Sequence, residues 1–183
     1  TWNGLNKFDG YTFKTYKTSQ ESKYAFGSNR MGTISESKYG DIWCPTYDGQ
    51  ACLFDVESEK FIDVLQPIEL STKQTNYVTR IYSLEKGIAW ILCENGYAFR
   101  VDEQLCKKGE GITLYAPSNH NLKGDQIFNV YQDSEEDEWI LTDKGVSIIG
   151  KKTLDTDFPF QFITQIKESI YLIAENDKLA RYD

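Results

Sequence analysis

Side chains able to do proton, metal or nucleophilic chemistry are few and scattered in this chain. His120 is the only histidine, so neither an imidazole dyad nor a metal site with several imidazoles can be built. It stands in Asn119-His120-Asn121 with no patterned partner, which reads as a loop residue rather than a general base. No serine occupies a Gly-x-Ser-x-Gly elbow. Cys44, Cys52, Cys93 and Cys106 include no Cys-x-x-Cys pair, which argues against zinc and for small, buried apolar residues. Cys44 and Cys52 lie on opposite arms of one hairpin. With Tyr47 facing Gln50 they fall one place out of register, so a bridge between them is not favoured. Asp9, Asp55 and Asp102 each close a repeat. One per repeat suits turn capping better than a calcium cage. Acidic pairs such as Glu135-Glu136 read as solvated turns rather than glycosidase carboxylates. No catalytic residue, metal or cofactor is expected.

The elements that must position any site are hairpins. Gly40 to Asp55 reads GDIWCPTYDGQACLFD: two β-prone runs about Asp48-Gly49, a strong hairpin signal because tight turns need positive φ. The unit recurs as IAWILCENGYAFRVD (Ile88 to Asp102) and EWILTDKGVSIIG (Glu138 to Gly150). In IYLIAENDKLARYD (Ile170 to Asp183), Tyr171 replaces the Trp and the Gly is lost. Gly4, Gly49, Gly96 and Gly145 are spaced by 45, 47 and 49 residues, whereas Trp139 to Tyr171 is a step of 32. A strand-rich repeat of about 40–50 residues is the signature of a propeller blade. The predicted fold is all-β: a β-propeller of four-stranded antiparallel blades, about four of them present. Repeats fall near 1–17, 31–65, 77–115, 126–154 and 160–183. With strands A to D running from axis to rim, the order is CD–ABCD–ABCD–ABCD–ABC. Strand C occurs at both ends, so the expectation is part of a larger propeller.

Composition bounds the function. The chain has 183 residues, 40% hydrophobic and 14% aromatic, which suits half-buried sheets. Net charge is −8, opposite to the basic face that nucleic-acid binding calls for. No apolar run approaches the roughly 18–20 residues of a membrane helix. Trp43, Trp90, Trp139 and Tyr171 share one mid-strand position, so packing between blades is preferred over sugar stacking.

Turns between strands B and C, and crossings from D to the next A, emerge on one rim. That gathers Trp2, Asn3, Tyr47, Asp48, Asn95, Tyr97, Asp143 and Lys144, with Arg30, Tyr77 and His120 from the crossings. Each singly is a turn residue first. Together, aromatic, amide and charged groups on a rigid scaffold suit a sugar or another protein.

GLNKFDGYTFKTYK (Gly4 to Lys17) resembles the opening blade of the two-component regulator propellers. In ISESKYGDIWCPTYDGQACLFD (Ile34 to Asp55), Gly40, Ile42, Trp43, Thr46, Gly49, Leu53, Phe54 and Asp55 stand where that family's pattern puts them. Val78 to Asp102 and Phe128 to Gly150 follow it more loosely. Cys44-Pro45 departs from the usual β-branched residue and Gly. The resemblance implies an extracytoplasmic, periplasmic sensor domain of a membrane-bound hybrid histidine kinase. It further implies detection of oligosaccharides, contacts with other domains of the same receptor, and a homodimer. The rivals are a protein-interaction scaffold and a propeller lyase or glycoside hydrolase.

Overall fold

Alternating apolar and polar residues between Gly-, Asp- and Asn-bearing turns form short antiparallel strands throughout. The computed structural model describes residues 3–17, 28–66, 68–69, 76–116, 122–156, 158–174 and 178–183. Blade I holds β1 (Leu5–Phe8) and β2 (Phe13–Tyr16). Blade II holds β3 (Ser35–Glu36), β4 (Ile42–Trp43), β5 (Cys52–Asp55) and β6 (Lys60–Asp63). Blade III runs β7 (Val78–Leu84), β8 (Ile88–Cys93), β9 (Ala98–Asp102) and β10 (Ile112–Tyr115). Blade IV runs β11 (Ile127–Gln132), β12 (Glu138–Thr142), β13 (Gly145–Ile148) and β14 (Lys152–Asp155). Blade V has β15 (Phe160–Ile166), β16 (Ser169–Ala174) and β17 (Leu179–Tyr182). Each blade is a meander, so the expected strand order holds. Among the described residues, helix is limited to a 3-10 turn at Leu105–Lys108 and a turn in which Ile68 and Glu69 donate to the Leu65 carbonyl. None is long and apolar enough to cross a membrane.

Blade II departs from the regular pattern. Its inner strand is confined to Ser35–Glu36, with Met31 making one isolated bridge to Thr46. Pro45 interrupts that ladder because it has no N–H to give. The register also differs. Ile42 faces Phe54 and Trp43 faces Leu53, so Cys44 lies directly opposite Cys52, its N–H donating to the Cys52 carbonyl at 2.7 Å. The turn holds three residues, Tyr47 to Gly49, with Thr46 rather than Tyr47 donating to Gln50. All four cysteines are buried free thiols. Burial pushes Cys44, Cys93 and Cys106 up to about 12, so they pack and do not react.

The tryptophans lie between blades, as expected. Trp43, Trp90 and Trp139 are almost wholly buried. Trp43 joins Val78, Ala89 and Ile91 of the following blade, and Trp90 joins Val130 and Ile140 of its own successor. Each indole N–H has a carboxyl acceptor. Trp43 donates to Glu103 of blade III at 2.8 Å, and Trp90 to Glu138 of blade IV at 2.7 Å. Trp139 donates at 2.7 Å to Asp133 in its own blade.

The turns between strands A and B are joined in the same direction. The Lys38 N–H donates to Glu103 (2.9 Å), that of Glu85 to Gln132 (2.8 Å), and that of Ser134 to Gln165 (2.7 Å). In all three, a side chain of the following blade caps a backbone group of the one before. Lys107 adds a charged link between blades III and II, reaching Asp41 at 2.6 Å and Asp55 at 2.7 Å. Its ammonium holds the Asp55 carboxyl down to about 2. Asp9, Asp55 and Asp102 cap their turns as expected, accepting from Thr12, Ser58 and Leu105 N–H.

Asp63 makes one prediction. It is buried at the end of β6, and burial raises its carboxyl from 3.8 to about 6, although the N–H groups of Leu65 and Gln66 bond it. The folded form therefore holds this proton more tightly than the unfolded chain. Below about pH 4 the group has no effect. Between about pH 4 and pH 6 the unfolded chain ionises first and stability falls, by about 3 kcal/mol once complete. Urea titrations should show Asp63→Asn more stable than the parent at pH 7.5 and equal to it near pH 3.5. A gap independent of pH would overturn the assignment.

Candidate ligand-binding rim

The rim residues are positioned by turns and by the crossings into strand A. The Tyr47 N–H donates to the Arg30 carbonyl at 2.8 Å, tying the turn between β4 and β5 to the segment before Met31. The Arg30 guanidinium then lies 3.5 Å from the Tyr47 ring centroid, a stacked cation–π contact. Tyr77 enters from the next blade, its hydroxyl donating to the Tyr47 carbonyl at 2.8 Å. Gly49 makes room for it. A Cβ there would stand 2.5 Å from Tyr77 Cδ2, and Gly49 has φ +86°. The Val78 N–H donates to the Gly49 carbonyl at 2.7 Å, so ring and backbone are fixed together. Tyr47 is 58% exposed and Tyr77 46%. Two tyrosines and an arginine thus form an open ledge bridging blades II and III.

The ledge continues along blade III. The Tyr77 carbonyl accepts from Glu94 N–H at 2.9 Å, and Asn95 Nδ2 donates to Asn76 Oδ1 at 3.1 Å. Asn95 Oδ1 accepts from Tyr97 N–H at 3.1 Å. The Tyr97 ring turns inward against the core, leaving mainly Asn95 facing outward. Asp48 is exposed at the tip of the Tyr47 turn.

The rim candidates of blade IV lie apart. Asp143 Oδ1 accepts from the N–H groups of Asp125 (2.7 Å) and Gln126 (3.1 Å), and Lys144 pairs with Asp125. This is a turn brace, with the Asp143 carboxylate committed to backbone. Asn3 is exposed. Trp2 and His120 lie outside the described residues. The structure therefore brings together Arg30, Tyr47, Asp48, Tyr77 and Asn95, with Asn3 next to Gly4, whose N–H donates to the Asn29 carbonyl beside Arg30, and it places Asp143 and Lys144 on a turn of blade IV.

Asn76 was not among the sequence candidates. It is buried, its N–H donating to Glu69 Oε1 at 2.7 Å, and it orients Asn95. Its signal was its place one residue before Tyr77, at the entry to an inner strand. A cleft of about 410 Å³ lies elsewhere, beside Leu122 and residues 147–153. Its lysines are engaged, Lys151 with Asp137 and Lys152 over the Tyr182 ring. Among the described residues no group of acids, cysteines or histidines could hold a metal ion.

Gly49→Ala should cost about 1–2 kcal/mol from the left-handed backbone alone. It should also tilt Tyr77 off the ledge. Thermal melts and the environment of the Tyr77 ring by NMR check both effects. An unchanged ring signal would remove Gly49 from the site.

No family model and no curated protein matches the sequence. Solved structures do. The extracellular domain of a hybrid two-component system of B. thetaiotaomicron superposes with a TM-score of 0.64 at 18% identity, over 100% of this chain and 25% of that one. The chain shares that fold. A second B. thetaiotaomicron extracellular domain, from a one-component system, gives 0.61 at 19% identity, over 99% of this chain and 28% of that one. YCF48, solved bound to a D1 peptide, gives 0.54 at 14% identity, over 94% of this chain and 55% of that one. The chain thus spans about a quarter of the two sensor-type structures.

Proposed function

We propose that this chain is a non-catalytic sensing module, part of the extracytoplasmic, periplasmic portion of a two-component receptor whose signal reaches a histidine kinase. The Arg30–Tyr47–Tyr77–Asn95 ledge takes a glycan fragment. The observation that carries the reading is the pair of exposed tyrosine rings, held by a neighbour's backbone and by Arg30, with an amide alongside. Rigid aromatic faces stack on the apolar side of a sugar ring, and the amide and guanidinium can bond its hydroxyls. The two extracellular domains that share the fold support the receptor context. Signalling requires that the bound ligand favour one arrangement of domains or dimer over another, because equal affinity for both shifts nothing. The ledge spans two blades, so a ligand there can bias how they sit.

Calorimetric titration against a panel of oligosaccharides tests this. Tyr47→Ala and Tyr77→Ala should each weaken the binding glycan at least tenfold, with the fold retained by circular dichroism. Binding that survives both substitutions, or no binding across the panel, overturns the site. The peptide held by YCF48 favours a second reading, in which the same ledge takes an extended peptide. Binding from a peptide library, lost in Tyr47→Ala, with no glycan binding, would establish that reading instead.

A further inference from the structure

A chain of hydrogen bonds runs beneath the ledge, and it begins at Asp63. The Asp63 carboxylate accepts from the N–H groups of Leu65 (3.2 Å) and Gln66 (3.1 Å), so it caps the turn that leaves β6. In that turn Ile68 and Glu69 donate to the Leu65 carbonyl, each at 3.0 Å. The turn thereby places Glu69, whose Oε1 accepts from the Asn76 N–H at 2.7 Å. Asn76 Oδ1 in turn holds Asn95 Nδ2 at 3.1 Å, and Asn76 is the residue before Tyr77. Asp63 and Asn76 are both buried. Asn95 and Tyr77 are thus set from behind by two carboxylates, one on each side of a single turn.

Asp63 lies among like charges. Among the described residues, Glu69 on the turn and Asp48 on the ledge are the carboxylates whose fields reach it. Cys52 stands opposite it on β5, with Cys44 beyond, and no cation pairs with it. Burial, with Glu69 and Asp48 adding to it, pushes the Asp63 carboxyl up to about 6 against the pull of its two N–H donors. In the closed turn an ionised Asp63 is therefore costly. Opening the turn gives the carboxylate to water and relieves that cost. The same opening withdraws Glu69 from the Asn76 N–H.

We infer that Asp63 and Glu69 are positioning residues of the ledge, acting through Asn76 on Asn95 and Tyr77, and that loss of the Asp63 proton loosens the ledge. The inference rests on the ledge being the binding site, although the relay itself can be followed without a ligand. Neutral Asp63 keeps the turn closed, Glu69 on the Asn76 N–H, and Asn95 in its outward place. Ionised Asp63 favours the open turn, and the amide and ring that meet the ligand lose their fixed positions. A ligand on the ledge selects the closed turn. Binding therefore favours proton uptake at Asp63, and by reciprocity the proton strengthens binding.

The test uses the full chain, first without ligand. By NMR, the Asn95 side-chain amide and the Tyr77 ring should shift together with a midpoint at about pH 6. In Asp63→Asn, whose side-chain oxygen still caps the turn, both should stay at their low-pH positions. Glu69→Gln keeps an oxygen for the Asn76 N–H but removes a charge beside Asp63, so the midpoint should fall and both signals should follow it. A purely structural role for Asp63 would move neither. Calorimetric titration with the oligosaccharide panel should then give binding about threefold or more tighter at pH 5 than at pH 7.5, and equal at both in Asp63→Asn. Signals that do not titrate near pH 6, or that titrate alike in Asp63→Asn, overturn the relay. So does a panel glycan bound equally at both pH values by the parent. A panel in which nothing binds overturns the ledge as a glycan site, and the ligand-free signals then decide the relay alone.

Discussion

Replacing Glu103 with alanine should cost about 3–5 kcal/mol, enough to bring a domain of ordinary stability near unfolding. The side chain is fully buried, and three donors converge on its two carboxyl oxygens. Trp43 Nε1 and the Ser83 hydroxyl (2.6 Å) reach Oε1, and the Lys38 N–H reaches Oε2. These belong to two blades, so alanine strands buried donors on both sides of one interface. Each unsatisfied buried donor costs about 1–3 kcal/mol. Glu103→Gln should be milder: its oxygen still serves Trp43 and Ser83, but its amide meets the Lys38 N–H donor to donor. Adding Trp43→Phe to Glu103→Ala should cost less than the sum of the singles, because one stranded donor goes with the ring. Urea midpoints followed by circular dichroism decide it. A Glu103→Ala midpoint within error of the parent would refute the hub.

The second large effect is expected at Glu138. Alanine there removes the acceptor of the Trp90 indole and the partner of a half-buried guanidinium. Breaking a buried pair from one side costs about 3–5 kcal/mol, because the remaining charge lies desolvated. The Arg100 guanidinium is raised further by its bonds to Glu138, a direction consistent with a strong pair. Combining Arg100→Met with Glu138→Ala should recover part of the loss, since the stranded charge is gone. If the double variant is as unstable as the sum of the singles, the loss comes from packing rather than from the ion pair. The two sites differ in kind: Glu103 gathers uncharged donors, and Glu138 gathers a charge.

Much of this architecture was legible because the signals were local. Asp-Gly and Asn-Gly turns, alternation, and the recurring Trp placed the central hairpins within a residue or two. Blade II was read less well because Pro45 breaks the ladder there and a left-handed Gly49 widens the turn, which moved the register by one. Glu103 and Glu138 were invisible as hubs. Their partners lie 60 and 48 residues upstream, and a single acid after a strand looks like any solvated turn residue. The rim shows the same limit. Sequence order shows which turns share a rim, but not that Tyr77 leans across Gly49 to Tyr47 while Asp143 folds back onto its own backbone.

The caps on the A-to-B turns all point one way, and this bears on how the chain emerges from the ribosome. Every A-to-B turn from blade II to blade IV waits for an acceptor that is synthesised later. A blade just made is therefore incomplete until its successor leaves the exit tunnel: its turn amide, and in blades II and III its indole, stay wet in the interval. Assembly should run in the order of translation, with each newcomer sealing the work of the one before it. Pulling the molecule from its C-terminal end should undo it in reverse, one sheet at a time.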